Sequence, residues 1–439
     1  MSLLAIVSIV FLITAVISVI NHRFIKWPPT IAVMVISTIL SLIFVLLQQR
    51  GVVDVSEVAH FMETMKFDRL LLNWLLPVLL FSGALNISID DLRDYRIQIF
   101  TYATLSLLLS AIMIAGFISY AAPYLGFEIT FLQSMVFGVL ISSTDPVCII
   151  GMLKTGNISR SLKSKIMGES LFNDGTAVVL FLTLVSVAFV APAHAPELNL
   201  EVLVRNFFYE SLGGLFLGIA TAYVASLLTR TIDAYDIEIM ITLALAFGTF
   251  ALSQYLHVSG PIAVVVAGLY IGNTTVKRFM SNTSREHVKR FWSLVDNISN
   301  AVLFSLMGLV FVLFDLNKPI LILSSLSIVA MLVARYFSIL GASLTLLPLK
   351  YLKMIDKVDF KKTPLIMTWG GLRGGISIAL ALSIPNTYPQ VKEVFLTMTF
   401  VCVFFSVLVQ GLTLPKLMKV VKKDNEETTK EHAPGEKSS

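Results

Sequence analysis

Long apolar runs recur along almost the whole chain, and they fix the solvent in which most of it must fold. A bilayer core of about 30 Å is crossed by about 20 helical residues. Measured against that length, about thirteen candidate spans can be drawn: 3–20, 29–47, 70–87, 98–121, 130–152, 166–190, 206–229, 237–255, 260–274, 295–315, 319–347, 364–384 and 393–416. In lipid an exposed backbone N–H or C=O finds no partner, so spanning segments are helices or strands of a closed barrel. The period-two alternation of barrel strands is absent, which leaves helices. Composition excludes a water-soluble globule: 56% of the 439 residues are hydrophobic and 14% charged, against about a quarter charged in soluble domains. The first run, Leu3 to Ile20, has neither a basic leading segment nor a small-residue cleavage site, and is expected to remain as the first span.

The basic residues give the expected orientation. Loops after odd-numbered spans hold 19 of the 33 Lys and Arg, and the stretch from Lys416 onward holds six more. Loops after even-numbered spans hold six. By the positive-inside rule the N-terminus is outside and the tail cytoplasmic. Residues 1–416 then form one transmembrane domain, and 417–439, polar and mixed in charge, a short disordered tail. Residues 51–66 have near-helical apolar spacing that suits an interfacial helix or a partly apolar loop. The two cysteines, Cys148 and Cys402, lie inside apolar runs and suggest no disulfide framework; the six histidines lack metal-ligand spacing.

The remaining two basic residues, Arg335 and Arg373, lie near the middle of spans, as do the acids Asp145, Glu169 and Asp174. Asp296, at the edge of the tenth span, is discounted. A charge at the bilayer centre costs about 2.5–3.5 kcal/mol, so five isolated ones would be prohibitive; they must share a site or line water. Structural ion pairs are the plainer alternative, but buried pairs seldom stabilise better than apolar isosteres, and here the acids cluster with hydroxyls and helix breakers.

In the fifth span, STDP places Asp145 directly before Pro146. Proline frees a carbonyl one turn back and disfavours helix in the preceding residue, so the span should unwind around Thr144 and Asp145. Bare carbonyls beside a carboxylate suit a hard cation. In the sixth span, GESLFNDGTA spaces Glu169 and Asn173 four apart, and Ser170 and Asp174 four apart, on adjoining strips of one helical face. Helix packing or back-bonding is an equal reading for Ser170 and the favoured one for Thr176. In the twelfth span, Gly370, Gly371, Gly374 and Gly375 surround Arg373 and weaken the helix. The fifth and twelfth spans occupy matching places in two six-helix units, and the odd offset inverts one relative to the other. Crossed discontinuous helices in inverted repeats point to a secondary transporter. Gly214 and Gly218 form a GxxxG more simply read as helix packing. An all-α polytopic membrane fold is therefore expected: about thirteen transmembrane helices in two inverted six-helix repeats, with discontinuous helices 5 and 12 crossing.

At these residues the chain resembles the sodium/proton exchanger branch of the monovalent cation:proton antiporters, the NhaP-type bacterial members and the animal exchangers. LPVLLFSGALNISIDDLRDYR, STDP, GESLFNDGTA, ARYF and GGLRGG carry the resemblance across most of the membrane chain. It implies a homodimer with a dimer domain and a mobile core, in a cell membrane, for a bacterial chain the inner one. It implies that Asp174 binds Na+ (or Li+) or a proton, with Asp145, the Thr144 backbone and Ser170 beside it. Glu169 would pair with Arg335 to steady the core, Arg373 would sit by the interrupted helix 12, and Asn173 before the aspartate would mark one-for-one electroneutral exchange serving pH and sodium homeostasis. Na+ and H+ would be cargo, with no cofactor and no nucleic-acid partner. A potassium/proton antiporter of the same fold is the nearest alternative and a cation channel the alternative of a different class; zinc-ligand, Cys/His and nucleophile-elbow patterns are absent, which argues against an enzyme.

Overall fold

The computed structural model describes residues 3–50, 71–145, 160–189, 200–309, 311, 317–351 and 362–418. The expected interfacial segment 51–66, Cys148 and the tail from 419 onward lie outside the described residues. Among the described residues every regular element is a helix. The principal ones, in chain order, are α1 (Leu3–Ile20), α2 (Pro29–Gln49), α3 (Leu76–Leu85), α4 (Arg96–Leu125), α5 (Phe131–Ser142), α6 (Arg160–Ala188) and α7 (Leu200–Thr229). There follow α8 (Tyr235–Tyr255), α9 (Gly260–Tyr270), α10 (Asn282–Leu309), α11 (Lys318–Thr345), the halves α12a (Lys362–Gly370) and α12b (Gly375–Ser383), and α13 (Pro389–Met418). Each overlaps an expected span. Among the described residues eight helices are long and apolar enough to cross a bilayer, and the α12 pair, bent by 61°, would make a ninth; α3 and α5 are shorter apolar helices.

Local chemistry explains several boundaries. Thr130 opens α5 with a reciprocal capping box, its hydroxyl accepting from the Gln133 N–H while the Gln133 side chain accepts from the Thr130 N–H. Ser259 caps α9, which carries proline in its first turn. The largest departure is α10, which starts at Asn282 rather than near 295. Its first half is amphipathic: Ser284, Val288 and Trp292 are buried at four-residue spacing while Glu286, Lys289 and Arg290 are exposed. Charge on the outer face hides such a segment from a search for apolar runs.

The outer surface is apolar. Phe11, Leu12 and Val19 on α1, and Phe208, Phe216 and Leu228 on α7, are exposed, an arrangement that lipid rather than water accommodates. Inside, two hydrophobic clusters form. The larger joins α1, α2, α4, α5, the second half of α10 and α11 to α13; the smaller joins α3, α8, α9 and the first half of α10. Residues of α6 and α7 enter them as well, and Ile376 of α12b packs against both. Gly214 and Gly218 let α7 press directly on α9, where a Cβ would meet the Ser259 and Ala263 carbonyls. In the matching units α5 packs against α4 and α6, and α12 against α11 and α13.

Candidate functional site

The site begins where α5 stops. The helix ends at Ser142, and Ser143 to Asp145 run on without helical bonding, leaving carbonyls without their usual donors. Arg373, from the gap between α12a and α12b, supplies the missing donor: its Nη1 bonds the Ser142 carbonyl at 3.0 Å and the Ser143 carbonyl at 2.9 Å. A guanidinium at a helix C-terminus also offsets the negative end of the helix dipole. The two breaks are tied further. Asp145 N–H donates to the Leu372 carbonyl at 2.7 Å, and Ser377 Oγ donates to the Leu140 carbonyl at 2.8 Å. A Cβ on Gly374 would fall on the Asp145 carboxylate, so glycine is required by close approach.

The gap in α12 is held from α13. Arg373 N–H donates to Ser406 Oγ at 3.0 Å; Ser406 Oγ donates to Gln410 Oε1, and Gln410 Nε2 reaches the Thr368 carbonyl at 3.3 Å. Backbone groups freed by the glycine-rich break thus find side-chain partners, as a broken helix at membrane depth requires.

The third wall is α6. Its Glu169, Ser170, Asn173 and Asp174 are all buried. Asn173 makes a two-sided bond to Thr144: its Oδ1 accepts from the Thr144 N–H at 3.2 Å, and its Nδ2 donates to Thr144 Oγ1 at 2.8 Å. The same Nδ2 lies 3.3 Å from Glu169 Oε1. Thr144 Oγ1 is 3.0 Å from Ser170 Oγ. Glu169 pairs with Arg335 of α11. Behind Arg335, Ser338 donates to its carbonyl at 2.9 Å and sits 3.0 Å from Ser106, while Tyr102 and Ser343 meet at 3.0 Å. Tyr102 and Ser106 bound a single π-type turn in α4.

Asp174 differs from its neighbours. It is 5% exposed, and among the described residues its carboxylate receives no hydrogen bond and joins no ion pair. Asp145, half-buried, and Glu169 lie within electrostatic reach of it. Two carboxylates with hydroxyl and carbonyl oxygens around them form an oxygen-only donor set of the kind hard alkali cations prefer. Among the described residues no cluster of three or more His, Cys, Asp or Glu is arranged as a metal centre.

The structure therefore brings Thr144, Asp145, Glu169, Ser170, Asn173, Asp174, Arg335 and Arg373 around one junction. Sequence reasoning missed Ser142, Ser143, Ser377, Ser406 and Gln410. Each is an uncharged polar residue in an apolar span, a signal shared with ordinary helix packing.

The Glu169–Arg335 pair can be tested directly. Removing one partner of a buried pair costs about 3–5 kcal/mol because the other charge is stranded. Glu169→Gln and Arg335→Gln should each lower the melting temperature in detergent, and the double variant should melt above either single. Equal damage from all three would show that the two side chains do not act as a pair.

Broken helices meeting at buried carboxylates define a secondary transporter of the inverted-repeat kind. The chain belongs to the transmembrane sodium/hydrogen exchanger family, whose model matches residues 9–420. It is 38% identical over 409 residues to the Na+/H+ antiporter NhaP of Pseudomonas aeruginosa, spanning 93% of this chain and 94% of that one. It is 30% identical over 399 residues to the Na+/H+ antiporter NhaH of Halobacillus aidingensis, spanning 90% and 93%. Its fold matches the sodium proton antiporter MjNhaP1 from Methanocaldococcus jannaschii at pH 8 with a TM-score of 0.72 and 16% identity, over 95% of this chain and 97% of that one.

Proposed function

We propose that this chain is an electroneutral antiporter that moves one sodium ion for each proton carried the opposite way. The observation that carries the reading is the Asp174 carboxylate, buried beside a second carboxylate and engaged by no other described group. A single carboxylate holds a proton or a cation, and each must leave before the other binds, so exchange is obligatory. Asn173 is neutral and turns its amide to Thr144 and Glu169, and Glu169 is engaged by Arg335. Asp174 is then the group that changes hands, with Asp145, the Thr144 backbone and Ser170 completing the cation's oxygen shell and Arg373 holding the break open. Two hydrophobic clusters that meet at Ile376 suit two bodies that move against each other, opening the site to alternate faces.

The homodimer, the cell-membrane location (the inner membrane of a bacterium), the outside N-terminus and the cytoplasmic tail belong to the same reading. The orientation rests on the distribution of basic residues, and the homodimer and the membrane on what the resemblance to the family implies.

Purified protein in vesicles loaded with a pH-sensitive dye, with the membrane potential clamped, tests it. Sodium and lithium pulses should move protons at the same rate whatever the clamped potential. An equal response to potassium would make the chain a potassium/proton exchanger, and current without proton movement would make it a channel. Because proton and cation compete for one carboxylate, the apparent KM for sodium should rise as pH falls, by up to about tenfold per pH unit where the proton-bound form dominates. A KM independent of pH would show that the two do not share a site.

A further inference from the structure

Glu238, in the first turn of α8, is a buried acid that the exchange junction does not use. It is 0% exposed, and neither of its carboxylate oxygens has a hydrogen-bond partner among the described residues. Buried polar atoms are nearly always satisfied, and a buried charge is ordinarily paired or bound to a metal. Two orphan oxygens on one sealed carboxylate therefore point to a ligand.

The surroundings of Glu238 are acidic. α8 packs against the first half of α10, and one turn beyond Glu238 the contact is fixed by Trp292 Nε1, which donates to Thr242 Oγ1 at 2.9 Å. Ser284 lies at the start of that half and is 2% exposed. Its N–H donates to Ser281 Oγ at 3.2 Å, and its hydroxyl donates to Asp233 Oδ1 at 3.3 Å. Ser284 and Asp233 are both within reach of the Glu238 carboxylate, so a single hydroxyl proton faces two carboxylates. Among the described residues neither acid joins an ion pair. The basic groups nearby are turned elsewhere. Arg230 lies over the Phe279 ring at 4.8 Å, Arg285 donates to the Val276 and Lys277 carbonyls, and His287 stacks on Tyr235. Asp233 is exposed, which gives the sealed Glu238 a neighbour in contact with water.

We propose that Glu238 and Asp233, with the Ser284 hydroxyl they share, bind a hard divalent cation of the magnesium kind at the end of α8 that the basic residues assign to the cytoplasm. All the donors are oxygens, and two negative charges match a divalent ion better than a monovalent one. Magnesium is commonly held by one or two carboxylates, with water in its remaining positions, and water reaches this cluster from the Asp233 side. The bound ion would pin α8 to the first half of α10. The cluster lies outside the junction of α5, α6 and α12, and the inference does not depend on the antiport reading.

Metal titration of the full-length protein in detergent, first stripped with a chelator, tests the site. The protein should take up about one Mn2+ per chain, read by electron paramagnetic resonance, and excess Mg2+ should displace it. Saturating Mg2+ should raise the melting temperature by about 3–5 °C. Glu238→Gln and Asp233→Asn should each weaken Mn2+ binding at least about tenfold and remove that shift. Asp236→Asn, in the exposed part of the same first turn, and Asp174→Asn, at the exchange junction, should keep both. In the stripped state Glu238→Gln should melt above the wild type, because the uncompensated buried charge is gone. Mn2+ binding that is absent from the wild type, or unchanged in Glu238→Gln, would overturn the proposal and leave Glu238 a neutral buried acid. Loss of binding in Asp174→Asn would overturn it too, by placing the ion on the exchange carboxylates, as would displacement of Mn2+ by Na+ at the concentration used for Mg2+. Should Glu238→Gln fail to fold, Asp233→Asn, a change at an exposed side chain, decides the matter, and an unchanged Mn2+ affinity there would sink the site.

Discussion

Replacing Asp174 by asparagine is expected to bring sodium- and lithium-driven proton movement down to the level of empty vesicles. The substitution keeps the size and shape of the side chain and removes its charge and its exchangeable proton. A neutral amide neither neutralises a cation nor competes for a proton, so both halves of the cycle stop, with a loss of at least about a hundredfold. Folding should survive. Among the described residues the carboxylate bonds to nothing, so no partner is stranded and stability should stay within about 1 kcal/mol of the wild type. Flux assays and a melting curve on the same preparation separate lost transport from lost structure. Wild-type flux from a well-folded Asp174→Asn protein would move the ion to another carboxylate.

Gly374→Ala should do nearly as much damage by a different route. The backbone at Gly374 is extended, with φ −126° and ψ −163°, a conformation alanine also adopts. The added methyl has nowhere to go, because it lands on the Asp145 side chain. Either Asp145 is pushed out of the junction or the two breaks separate, which loosens the Asp145 to Leu372 bond and the hold of Arg373 on the end of α5. Overpacking of this kind costs about 1–3 kcal/mol, and exchange should fall by more than tenfold with a shift of about 1 Å in the site. Gly248→Ala in α8, where a Cβ meets nothing within 4 Å, should leave transport intact and the protein equally or slightly more stable. Matching behaviour of the two variants would show that the close approach at Gly374 is not essential.

Much of the site was legible because lipid makes charge conspicuous. Asp145, Glu169, Asp174, Arg335 and Arg373 stood out since each is costly in an apolar span, and the glycines around Arg373 announced a break where one is found. The helix positions followed the apolar runs closely, with α13 carried to Met418, slightly past the expected end at 416. What the sequence hid were contacts between distant segments. Nothing local says that Arg373 reaches the carbonyls of Ser142 and Ser143, about 230 residues away in the chain, or that Gln410 braces Thr368. Asn173 was visible as a polar residue in a span; its two-sided grip on Thr144 depends on how α5 and α6 pack. Asp296 stands at the edge of a span drawn by hydropathy because the charged first half of α10 hides where that helix starts, and its link to Ser82 joins helices 214 positions apart.

The bonds that stitch the end of α5 to the gap in α12 have a kinetic consequence. Asp145, Leu372, Arg373 and Ser377 form reciprocal links between the two breaks, so the cradle would travel as one rigid piece rather than being dismantled and rebuilt with each crossing. A cradle carried intact grips its cargo equally well whichever side it faces. The exchanger should then have no preferred direction of its own, and the gradients across the membrane alone would decide which ion enters and which leaves.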